Sequence, residues 1–238
     1  MLENQEEYKL RTQEFYLDRL QFTNQKTSDE IEDISAIKVG WQSRNNQYLA
    51  FEAATAFNDI NWPEITSVLD VGCGYGNLVE YLRTEKNFQG EYTGIEILPE
   101  FLEAAQTLYG EDSRNKFILG DFLTQDWQQQ QYDIVISLGV ISVNYDQPQE
   151  KGEKSLYYAK KAISLILNLA KKGISLYFSN SAHVPILQRY INIDMAFYHP
   201  LEIQDMIENA CKKEYKSLII ESFPEPNNVK TIARINFV

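Results

Sequence analysis

The residues best placed to do chemistry fall in one run, Val68 to Leu78, which reads VLDVGCGYGNL. Gly72, Gly74 and Gly76 occupy alternate positions just after an apolar stretch that carries Asp70 near its end. Glycine lacks a Cβ, so such a loop turns sharply and lets a ligand lie against the main chain. Dinucleotide and nucleotide sites, among others, use turns of this kind, and three details narrow the choice. The dinucleotide fingerprint puts its third glycine one position later, where this chain has Asn77. A phosphate-gripping loop carries Gly-Lys-Ser/Thr at the helix start, and this loop has no lysine. Asp70 would repel a pyrophosphate but attract a cation. The loop therefore favours a cationic ligand over a phosphorylated one. A plain tight turn would need the glycines but not the acid.

Two further acids stand at matching places downstream. Glu96 closes the run Tyr92-Thr93-Gly94-Ile95-Glu96, 20 residues beyond Gly76. A carboxylate at such a strand end can accept hydrogen bonds from both hydroxyls of a ribose. Asp121, in Gly120-Asp121-Phe122, follows a third β-rich run. It can accept the exocyclic amino group of an adenine, with Phe122 over the ring.

These residues need a scaffold that brings strand ends together. From Thr66 onward β-rich runs (Ser67–Val71, Tyr92–Ile95, Lys116–Leu119, Tyr132–Leu138, Ile174–Phe178) alternate with helical stretches (Leu78–Glu85, Glu100–Tyr109 and about Glu153–Lys171). That alternation predicts parallel strands joined by crossover helices, hence a doubly wound α/β sheet. The last two runs, Lys216–Phe223 and Val229–Phe237, are joined by Pro-Glu-Pro-Asn-Asn and predict an antiparallel hairpin. The expectation is a seven-stranded Rossmann-like sheet. Upstream, residues 4–24 and about Asn45–Phe57 have amphipathic helical spacing, and Asn58–Pro63 ends the second helix. Residues 1–62 are read as a helical lid or extension that leads into the core, and residues 63–238 as the core.

Taken together, Asp70-x-Gly72-x-Gly74-x-Gly76, Glu96 and Asp121 resemble the ordered motifs of the class I S-adenosylmethionine-dependent methyltransferase superfamily. The resemblance covers Thr66 to the C-terminus. It implies that the glycine loop, with Cys73, cradles the methionine half of S-adenosyl-L-methionine. It implies that Glu96, with Ile97 beside it, holds the ribose, and that Asp121 and Phe122 hold adenine. The fourth run, Asp133 to Gly139 with Leu138, would pass beneath the cofactor toward the acceptor. A looser resemblance lies in Gly40-Trp41-x-Ser43-Arg44-x-x-Gln47, which is similar to small bacterial methyltransferases. By that analogy Trp41 and Arg44 close over the methionine end, Arg44 pairing with its carboxylate; a core Trp and a surface Arg are the alternative. Asp/Asn-Pro-Pro-Tyr/Phe after the fourth strand, a Pro-Cys nucleophile and a paired-glutamate loop, each diagnostic of one acceptor class, are absent from the sequence.

The acceptor side is less defined. His183 follows the fifth run, His199 precedes the next helix, and Tyr145 follows the fourth run between Asn144 and Asp146; these are the candidate catalytic groups, each also readable as a loop residue. Asn144 and Asp146 alone do not make a Mg²⁺ site, so no metal is expected. The formal net charge of −12 argues against a nucleic-acid partner. Two cysteines, a polar acidic N-terminus and no apolar run near the roughly 20 residues that span a bilayer point to a cytoplasmic protein without membrane association, monomeric or homodimeric. The sequence thus predicts methyl transfer to oxygen or nitrogen of a small organic acceptor. A catalytically silent S-adenosylmethionine-binding module and a nicotinamide-dependent oxidoreductase are the alternatives.

Overall fold

The computed structural model describes residues 10, 13, 14, 16, 17, 31–142, 156–183, 195–222 and 230–238. Among the described residues eight strands form one sheet: β1 (Ser67–Val71), β2 (Glu91–Glu96), β3 (Asn115–Leu119), β4 (Tyr132–Leu138), β5 (Ala170–Asn180), β6 (Phe197–Tyr198), β7 (Tyr215–Ser222) and β8 (Lys230–Phe237). Their order is β3-β2-β1-β4-β5-β8-β7, with β6 beside the end of β5. Strands β1 to β5 are mutually parallel where they pair. Strand β8 enters between β5 and β7 and runs antiparallel to both, so the expected terminal hairpin is present. The eighth strand is the one element beyond the seven expected. It is two residues long, pairing Phe197 with Ser179 and Tyr198 with Asn180, too short for any period to register.

Among the described residues the helices with given bounds are α1 (Ile31–Lys38), α2 (Arg44–Thr55), α3 (Asn77–Glu85), α4 (Pro99–Tyr109), α5 (Tyr157–Leu169) and α6 (Pro200–Ala210). Their ends follow local chemistry. Ser43 caps α2, its side chain accepting from Asn46 N; Pro99 and Pro200 open α4 and α6, where a missing N–H costs nothing. Helix α5 runs directly into β5, and Lys213 Nζ donates to the carbonyls of Leu167 and Ala170 at that junction. The lysine thereby satisfies carbonyls left over at the helix end.

The central strands are buried on both faces, as parallel strands covered by helices must be. Leu69, Val71, Val135 and Ile174 pack with Ile163 and Ile166 of α5 and Ile203 of α6. On the opposite face Val68, Tyr92, Ile134 and Ile136 pack with Phe51 of α2 and Leu78 and Leu82 of α3. Helix α2 is thus a layer of the fold: Ala50 and Ala54 sit against Tyr177 of β5 and Ile232 of β8. The stretch of the lid or extension that forms α2 buries its apolar face on the sheet. Most of the first predicted helix (residues 4–24) and the hairpin turn lie outside the described residues. Among the described residues no helix is long and apolar enough to cross a membrane.

Candidate active site

Strand order reverses between β1 and β4, and in open α/β sheets the crevice at that switch point, outside the carboxyl ends of the strands, receives the ligand. A cleft opens there, with an empty space of about 880 Å³ counted out to its mouth. The glycine loop is its floor. Gly72 N and Cys73 N both donate to Ile95 O, at 2.9 and 3.1 Å, clamping the loop to the end of β2. Gly72 (φ 74°) and Gly74 (φ 54°) adopt left-handed backbone that disfavours any side chain. A Cβ on Gly74 would stand 2.8 Å from Val39 Cγ1, and one on Gly72 would run into Val140. Both glycines therefore keep the cradle open. Gly76 does something else. It begins α3 at φ 76°, packed under Tyr109, Phe117 and Ala105, and does not line the cleft.

Three acids reach the cleft from three strand ends. Asp70 is 3% exposed, and Tyr92 Oη donates to its Oδ2 at 2.6 Å. Burial pushes the Asp70 carboxyl up to about 7, the nearby Glu96 adding to the rise and the Tyr92 hydrogen bond opposing it. Glu96 accepts from Gly74 N (2.9 Å) on one oxygen and from Ile97 N (2.8 Å) and Leu98 N (3.0 Å) on the other. Burial raises its carboxyl and those three backbone donors hold it down. Asp121 Oδ1 accepts from Leu123 N at 2.9 Å, fixing the turn in which it stands. Cys73 lies among these acids; burial, then Asp70 and Glu96, push its thiol up, so it stays protonated and serves as a packed wall.

Of the twelve residues expected to bind cofactor, ten line this cleft: Trp41, Asp70, Gly72, Cys73, Gly74, Glu96, Ile97, Asp121, Phe122 and Leu138. Gly76 and Arg44 do not. Arg44 Nη2 lies 3.1 Å from Glu80 Oε2 and donates to Tyr48 Oη at 3.4 Å, so its charge is directed along α3 instead of over the cofactor. Residues beyond those twelve complete the wall: Tyr16, Phe101 and Tyr158 add aromatic surface, and Gln47 and Asn77 add amides. Gln47 lies in the Gly40-to-Gln47 segment and Asn77 in the glycine loop, where no spacing marks either as a cofactor contact. No described residue lining the cleft is a lysine, arginine or histidine.

The acceptor-side candidates fare differently. His199 caps α6: its Nδ1 accepts from Leu201 N at 3.2 Å, and its backbone N donates to Glu202 Oε2 at 2.7 Å. The imidazole is committed to the helix end and does not line the cleft. His183 ends a short 3₁₀ turn, Ser181–His183, after β5; its side chain, like all of Tyr145, lies outside the described residues.

The residues fit S-adenosylmethionine. Open glycine positions would cradle a chain, a buried acid would attract a cation, and carboxylates at the end of β2 and beyond β3 could accept hydrogen bonds from ribose and adenine. Fold and cleft define a class I methyltransferase. The family model described as a methyltransferase domain matches residues 64–234, so the chain belongs to that family. A segment of 46 residues is 44% identical to "Putative methyltransferase Rv1506c" of Mycobacterium tuberculosis, covering 19% of this chain and 27% of that protein. The chain therefore matches about a quarter of that relative's length. The geranyl diphosphate C-methyltransferase of Streptomyces coelicolor A3(2) shares the fold at a TM-score of 0.61 and 9% identity, over 94% of this chain and 98% of that one. The N-methyltransferase NodS of Bradyrhizobium japonicum WM9 does so at 0.55 and 12%, over 81% and 98%. At such identities the likeness is one of fold, and those two names already span carbon and nitrogen as methyl acceptor.

Proposed function

We propose that this methyltransferase acts on oxygen or nitrogen of a small organic molecule. The observation that carries the reading is the wall of the cleft: beside the three acids it is built from aromatic and aliphatic side chains (Trp41, Phe101, Phe122, Leu138, Val140 and Tyr158) without a described cation. Small-molecule pockets have this make-up, mostly apolar with a few placed polar groups. A polyanionic acceptor such as RNA would meet an acidic protein and an acidic cleft.

When bound, S-adenosylmethionine supplies a methyl group on a sulfonium, a good neutral leaving group. The protein's task is alignment and the exclusion of water. Glu96 fixes one end of the cleft by accepting from Gly74 N in the glycine loop, and Asp70 lines that end. Trp41, held edge-on by Tyr177 at 5.4 Å, and Leu138 shape the other, on the side toward the ends of β4 and β5. Tyr16, packed edge-on against Phe101 at 5.6 Å, adds an aromatic face to the wall, and α2 supplies Gln47 and Phe51 beside it. Tyr145, which follows β4 in the sequence, and His183, which follows β5, are the proposed acceptor-side groups; His199 serves the helix cap.

Turnover decides the matter. Purified protein is incubated with S-adenosylmethionine carrying a labelled methyl group and panels of small phenols, carboxylates and amines, and release of S-adenosylhomocysteine is followed. A labelled small-molecule product supports the reading. Tight cofactor binding with no transfer to any small acceptor, or transfer only to protein or RNA, overturns it.

A further inference from the structure

Gln47 and Arg44 stand three residues apart on α2, and they face different surroundings. Arg44 pairs with Glu80 on α3. Gln47 is 3% exposed and lines the cleft. Its Oε1 accepts from Asn77 Nδ2 at 3.0 Å, and the same Asn77 nitrogen donates to Ser35 Oγ of α1 at 3.2 Å. One end of the Gln47 amide is thus tied to the first residue of α3. The other end, Nε2, donates to no described residue. An amide at the cleft wall whose NH₂ has no described acceptor can take one from the ligand.

The ligand has one group with no partner so far. S-adenosylmethionine is cationic at sulfur and at the α-amino group and anionic at its carboxylate. Asp70, Glu96 and Asp121 suit cations and hydroxyls, while no described cation lines the cleft to meet a carboxylate. We infer that Gln47 binds the methionine carboxylate of the cofactor through Nε2, with Asn77 as the positioning residue that turns the amide donor into the cleft. A neutral donor suits this place. It recognises an anion without cancelling the charge of Asp70, which must stay available for the ammonium and sulfonium. The inference rests on the reading that the cleft holds S-adenosylmethionine.

The test compares two ligands that differ only in that carboxylate, S-adenosylmethionine and decarboxylated S-adenosylmethionine, by calorimetry on the full chain. The wild-type protein should prefer the first. Gln47→Leu, similar in size but without a donor, should weaken S-adenosylmethionine by roughly 10- to 100-fold, the scale of a hydrogen bond to a charged group, and leave the decarboxylated ligand unchanged. Gln47→Glu keeps an acceptor for Asn77 and so preserves the tie between α2 and α3. It should weaken S-adenosylmethionine at least as much, again selectively, and carries the comparison if Gln47→Leu does not fold. Equal losses for both ligands in a folded variant would make Gln47 a structural wall, and no loss for either would place the carboxylate elsewhere; each overturns the assignment. A wild-type protein that binds neither ligand would overturn the cofactor reading beneath it.

Discussion

Tyr92 Oη donates to Asp70 Oδ2 at 2.6 Å beneath the cleft floor, and both residues are buried. The tyrosine lies two residues before Gly94, the register partner of Asp70 across the β1–β2 pair, so it reaches along the strand to hold the acid in place. It also stabilises the carboxylate form of a group that burial would otherwise keep protonated.

Cofactor affinity should therefore depend on pH. With the Asp70 carboxyl at about 7, the attraction for a cationic ligand grows as pH rises through that value. Calorimetric titration across this range should show tighter binding on the alkaline side, more steeply for S-adenosylmethionine than for S-adenosylhomocysteine, which lacks the sulfonium. Tyr92→Phe removes the contact that lowers the pKa, so the midpoint should move upward. A flat profile in both proteins would count against Asp70 as the cation's partner.

The same acid should burden the unliganded fold. Its folded pKa of about 7 lies above the ordinary 3.8, so the folded state holds the proton more tightly than the unfolded one. The stability linked to that proton is fully present below 3.8 and is lost as pH rises through 7. Asp70→Asn keeps an acceptor for Tyr92 but carries no charge. Relative to wild type, its thermal midpoint without ligand should climb between these two pH values and stay higher above 7, while cofactor binding is lost. A lower midpoint at alkaline pH would show that the carboxylate stabilises the empty fold.

Glycine 74 should tolerate no side chain. Its φ of 54° and the 2.8 Å approach to Val39 mean that Gly74→Val adds strain and a clash together. Destabilisation of about 1–3 kcal/mol is expected from the backbone conformation alone. Calorimetry should detect no cofactor binding to the folded fraction; normal affinity would remove the loop from the site.

Glu96 couples cofactor binding to loop order. Glu96→Ala would leave the N–H groups of Gly74, Ile97 and Leu98 without their acceptor, a cost of about 1–3 kcal/mol in denaturant unfolding. Glu96→Gln retains an accepting oxygen and should keep more of that stability, yet still weaken binding roughly tenfold or more through the lost charge toward ribose. Should Glu96→Gln bind as wild type does, the ribose contact would belong to another group.

Much of this site was legible in the sequence because its chemistry is local. Alternate glycines after a strand demand positive φ whatever the fold around them, and the acids at Glu96 and Asp121 were placed by the strand ends they follow. Gln47 and Arg44 show where that legibility stops. Both lie on one helix, three residues apart, and only the rotation of α2 on the sheet decides which of them enters the cleft. The more strongly charged residue was the natural choice for a carboxylate, and packing sent it to Glu80. Asn77 was informative in the sequence only as a missing glycine, whereas its role as a tie between α1, α2 and the loop needs three elements in contact. The hydrogen bond from Tyr92 to Asp70 joins two strands and likewise has no sequence signal. His199 was a plausible base until its imidazole was found on the backbone of its own helix.

A crystal structure of the full chain with S-adenosylhomocysteine tests the central claim most directly. The account predicts adenine against Asp121 and Phe122, both ribose hydroxyls on Glu96, the α-amino group toward Asp70 and the carboxylate within hydrogen-bonding distance of Gln47 Nε2. A ligand seated away from the glycine loop, or one with its ribose hydroxyls clear of Glu96, would contradict it.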